Sequence, residues 1–72
     1  MNKSLKRLIY EYLVNNRQRL QDEYDNQVRL VKYRDVDALD VYEYQLAITR
    51  LQAFEEFSHD IIQLIRISDI RH

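Results

Sequence analysis

A chain of 72 residues without a single glycine or proline has few ways to fold. Glycine supplies the positive-φ positions of tight turns, proline fixes turn entries, and both interrupt helices. In an average domain the two together make up roughly a tenth of the residues. A chain lacking them is expected to run as few, long helices with short connections. Cysteine is absent as well, which removes disulfides and thiolate metal sites. The hydrophobic fraction of 46% is too high for a disordered chain. No apolar run is long enough for a membrane span or a secretory leader, so the expectation is a soluble, cytoplasmic protein. One core of this size supplies only a few kcal/mol, and small chains of this kind usually need further support.

Helical spacing runs through both halves. Leu5, Ile9, Leu13, Asn16, Leu20, Tyr24, Val28 and Val31 follow one another at steps of three or four, the pattern of one helix face. Tyr44, Ala47, Leu51, Phe54, Ser58, Ile61 and Ile65 do the same. At roughly 100° per residue, one unbroken helix would point these stripes about 160° apart. A break is therefore expected between them, in the stretch with aspartates at 35, 37 and 40. Aspartate favours caps and turns because its side chain bonds nearby backbone N–H groups. Asp40 followed by Glu43 has the outline of a capping box. The spacing predicts one domain over residues 1–72, with a helix over 3–33, a turn over 34–40 and a helix over 41–69.

Charge supports an antiparallel hairpin, coiled-coil-like in its packing. Residues 1–34 carry a net charge of +4 and residues 35–72 a net of −5. Folding the chain at the turn sets Ile9 beside Ile65, Leu13 beside Ile61, Asn16 beside Ser58 and Leu20 beside Phe54. It also brings Lys6 near Asp69, Arg19 near Glu55, Asp22 and Asp25 near Arg50, Lys32 near Glu43 and Arg34 near Asp40. Such patterns set orientation and register more than they stabilise.

The apolar arcs are wider than a two-stranded seam requires, about 160° on the second helix. Leu46, Phe57 and Leu64 lie on one flank of that arc and Tyr44 and Ile62 on the other. On the first helix the flanks hold Tyr12 and Leu30 against Tyr10 and Val28. Broad apolar surfaces usually mark interfaces, and two-fold dimers are the commonest oligomers. The expectation is a homodimer in which two hairpins form a four-helix bundle.

Four groups of residues carry possible chemistry. Glu56 and His59 have the Glu-x-x-His spacing of helical metal sites, but both fall on the polar face, where such a bundle site needs inward-facing ligands. No metal ion, cofactor or small-molecule substrate is expected. Asn16 and Ser58 are the polar positions in the two stripes, a candidate register-setting layer. Tyrosine occurs six times, and Tyr10, Tyr12, Tyr33, Tyr42 and Tyr44 join Leu46, Phe57 and Leu64 as the candidate interface. Tyrosine suits interfaces because it combines area with a polar tip. The first helix's cations, interleaved with tyrosines, outline the alternative of a nucleic-acid-associated accessory protein. The overall charge of −1 speaks against nucleic acid as the partner. No nucleophile set or glycine-rich phosphate loop occurs, and no signature motif places the chain in a particular family. The sequence therefore reads as a non-enzymatic interaction protein, binding itself and a protein partner.

Overall fold

The structure is a computed structural model that describes residues 1–33 and 37–71, apart from the side chain of Tyr33. It is a hairpin of two helices, α1 (Lys3–Tyr33) and α2 (Ala38–Arg71). The helices pack along their length into a rod of 56 × 17 × 13 Å. The Arg34–Asp40 pairing and the Tyr33 side chain lie outside the described residues, as do residues 34–36 of the expected turn over 34–40.

Local hydrogen bonds set where each helix starts. Asn2 caps α1: its Oδ1 accepts from the Ser4 N–H at 2.7 Å, and its carbonyl accepts from the Lys6 N–H at 3.0 Å. At the start of α2 the cap is Asp37, not Asp40. Asp37 Oδ1 accepts from the Asp40 N–H at 2.9 Å, and Asp40 Oδ2 accepts from the Asp37 N–H at 3.3 Å. This reciprocal pair is a capping box one turn earlier than the one expected from Asp40 and Glu43. Helix α2 accordingly begins at Ala38 and continues to Arg71. Asp37→Ala is expected to cost about 1 kcal/mol in a thermal melt, more than Asp40→Ala, which removes only the returning bond. The reverse order would contradict this cap.

The contact between the helices is built from the expected stripes. Leu13 and Leu20 of α1 and Ala47 and Ile65 of α2 are buried. Ile9, Val28, Leu51, Phe54 and Ile61 are half-buried around them. Leu5 departs from the expectation and stays exposed. Each step of four overshoots a full turn by about 40°, so the steps from Leu13 back through Ile9 swing Leu5 about 80° off the contact line. No helix among the described residues is long and apolar enough to cross a membrane.

Candidate interaction surface

Two long helices lying side by side present two broad faces, and cross-helix contacts tell them apart. One face is pinned by polar pairs. Lys6 Nζ donates to Asp69 Oδ2 at 2.6 Å, and the Met1 amino group donates to Asp69 Oδ1 at 3.3 Å. Farther along, Arg17 Nη2 donates to Glu55 Oε1 at 2.9 Å. Nearer the turn, the rings of Tyr24 and Tyr44 stack with centroids 6.0 Å apart. The hydrogen bond from Lys6, with that from the Met1 amino group, holds the Asp69 carboxyl below the usual carboxylate range, and the same bond raises the Lys6 ammonium.

Two expected pairings are replaced by neighbours. Arg17 takes Glu55, while Arg19 turns to Glu23 in its own helix at 3.5 Å. Arg50 meets Glu23 at 3.9 Å instead of Asp22 or Asp25. Glu23 lies on the other side of the Leu13–Leu20 line from Lys6, Arg17 and Tyr24. The Glu23–Arg50 pair therefore marks the second broad face.

That second face is apolar toward the end away from the turn. On α1, Leu5, Leu8 and Tyr12 fall within about 60° of one another on the Glu23 side. On α2, Phe57 and Leu64 fall on the Arg50 side. Because Glu23 and Arg50 meet across the groove, the two stripes share one face. All five side chains are at least half exposed, with Leu8 at 63% and Leu64 at 62%. Phe57 rests against the half-buried Phe54, ring centroids 6.1 Å apart, so the patch is continuous with the core. Toward the turn the same face becomes mixed. There Glu23, Gln27, Glu43, Leu46, Ala47 and Arg50 line a shallow depression between the helices.

The candidate interface residues are thus divided. Tyr12, Phe57 and Leu64 are exposed together on the apolar face, and Leu46 sits half-buried farther along it. Tyr44 is on the opposite face, stacked on Tyr24. Tyr10 also turns to that side, lining a groove along α1 with Lys3, Lys6, Arg7 and Val14. Tyr42 projects from the outer edge of α2 and is exposed. Leu8 was not among the expected interface residues, because it lies off the main stripe. The signal was present in the sequence: Leu5, Leu8 and Tyr12 form a second stripe at steps of three and four, offset from the first.

The polar layer is local in its bonding. Asn16 Nδ2 donates to the Tyr12 carbonyl at 2.8 Å, within its own helix. Ser58 Oγ is buried and finds no hydrogen-bond partner among the described residues. An unpaired buried hydroxyl carries a desolvation cost, and alanine is the better helix former. Ser58→Ala is expected to raise stability by about 1 kcal/mol in chemical denaturation. A loss of that size would mean that the hydroxyl has a partner in solution. Glu56 and His59 both stand exposed beside Glu55 and Asp60. Among the described residues no group of three or more His, Cys, Asp or Glu is placed to hold a metal ion.

No family model, curated protein or solved structure matches this chain.

Proposed function

We propose that the protein is a non-enzymatic protein–protein interaction module, a homodimeric adaptor or regulator of a partner protein. The observation that carries this reading is the apolar face of Leu5, Leu8, Tyr12, Phe57 and Leu64, left uncovered by the hairpin's own packing. The accessible surface is 5918 Å², whereas a compact monomer of 8.9 kDa exposes about 4800 Å². The excess, about 1100 Å², is larger than the ~800 Å² that each partner buries in a standard interface. Two hairpins packed face to face would form a four-helix bundle, the usual way for broad amphipathic helices to cover themselves. The opposite face, with Tyr24, Tyr44 and Tyr10, then remains for a different protein.

A nucleic-acid reading draws less support. It needs available cations, yet Lys6, Arg7, Arg17 and Arg19 of α1 are each bound to a carboxylate. Sedimentation equilibrium over a wide concentration range tests the homodimer. Twice the 8.9 kDa chain mass is expected at micromolar concentration. A monomer at every concentration would remove self-association from the function.

A further inference from the structure

Resting on the homodimer reading, we infer that the second copy docks on the apolar face with its hairpin pointing the same way. Both turns lie at one end, and α1 of each copy packs on α2 of the other. The occupant is a second copy because the rod's surface exceeds a compact monomer's by about the area one dimer interface hides, and because the face sets Glu23 beside Arg50, a charge pair that a second copy complements. The orientation follows from where the apolar residues sit.

Leu5, Leu8 and Tyr12 of α1 and Phe57 and Leu64 of α2 all occupy the half of the rod away from the turn. Lys6–Asp69 and Arg17–Glu55 bracket that half, so Leu8 and Leu64 stand at about the same level along the rod. A two-fold axis parallel to the helices preserves levels. It lays Leu8 of one copy against Leu64 of the other, and Glu23 of one against Arg50 of the other, over the whole length. An axis across the helices reverses levels. With full overlap, it would press Leu8 and Tyr12 onto the region of Glu23 and Asn26 in the second copy, burying polar groups against hydrocarbon. Centred instead on the apolar patch, it would leave the turn half of each rod, with the exposed Leu39, uncovered.

Charge points the same way. Helix α1 holds seven cations against four carboxylates, and α2 holds six carboxylates against three arginines. The parallel arrangement puts each basic helix beside the other copy's acidic one. The crossed arrangement pairs like with like, which electrostatic complementarity disfavours.

Spin labels at Ala38→Cys, beside the turn, and at Ser4→Cys, near the opposite end, read the orientation, since both positions are exposed. In the inferred dimer both label pairs are separated only by the bundle's width, about 20–35 Å given helix spacings of 8–10 Å. Full-length crossed packing would put both pairs about 45 Å or more apart, given the 1.5 Å rise per residue, and would overturn the orientation. A short Ser4 distance with a long Ala38 distance would reveal the offset crossed dimer and overturn it equally. A monomer by sedimentation would remove the second copy as occupant and with it the homodimer reading itself. A dimer with long distances sinks the orientation alone.

Discussion

Ile65→Ala is expected to remove about 2–5 kcal/mol of folding stability, the range for truncating a buried aliphatic side chain. Among the described residues Ile65 is the most buried side chain, 2% exposed. It belongs, among the described residues, to a small buried set with Leu13, Leu20 and Ala47. A domain of this length has about 4–11 kcal/mol in total at typical stability per residue. One methylene-rich contact is therefore a large share of the whole. The readout is a thermal melt followed by helical circular dichroism, with a midpoint at least about 10 °C lower. Variant and parent are compared at equal chain concentration, since self-association raises the apparent midpoint. Ile70→Ala is the matched control: Ile70 is 84% exposed, and its loss should leave the midpoint nearly unchanged. Equal effects at the two positions would mean that the helices do not pack on the Ile65 side.

The second large effect is on association. The double variant Leu8→Glu, Leu64→Glu places carboxylates on the apolar face of each copy. Burying unpaired like charges costs several kcal/mol, so dimerisation is expected to weaken by at least about 100-fold. Both side chains are mostly exposed within the hairpin, so the helix signal of the dissociated chain should persist. The companion variant Leu8→Lys, Leu64→Lys should also be monomeric, and mixing the two should restore a heterodimer. Dimers as tight as the parent's in the glutamate variant would show that another surface carries the association.

Much of this hairpin was legible in the residue pattern, for a definite reason. Helical period fixes which side chains share an arc, and Leu13, Leu20, Ala47 and Ile65 all lie on the arcs the spacing picks out. Orientation was legible too, because an antiparallel fold is what brings Lys6 to Asp69. Fine register was not. Arg17 and Arg19 lie two residues apart, both reach carboxylates, and a difference of under about 1 kcal/mol decides between them. The cap of α2 was ambiguous in a similar way. Asp37 with Asp40 and Asp40 with Glu43 have the same three-residue spacing, so two overlapping capping boxes compete, and the earlier one adds a turn of helix. The interaction surface was the least legible part. Periodicity groups side chains on one helix, but which stripe of α1 shares a face with which stripe of α2 depends on handedness across the groove. That is why Tyr12 joins Phe57 and Leu64 while Tyr44 goes to the other side.

The sequence distances spanned by the cross-helix contacts also bear on the order in which they form. Tyr24 and Tyr44 are near neighbours along the chain, whereas Lys6 and Asp69 are 63 residues apart. Closing the longer loop first costs about 1 kcal/mol more in chain entropy. Chain entropy therefore favours closing the hairpin from the turn outward, with the open end closing last. That end carries Leu5, Leu8 and Leu64, so the end whose closure costs a single chain the most entropy is the one that a second copy would clamp shut.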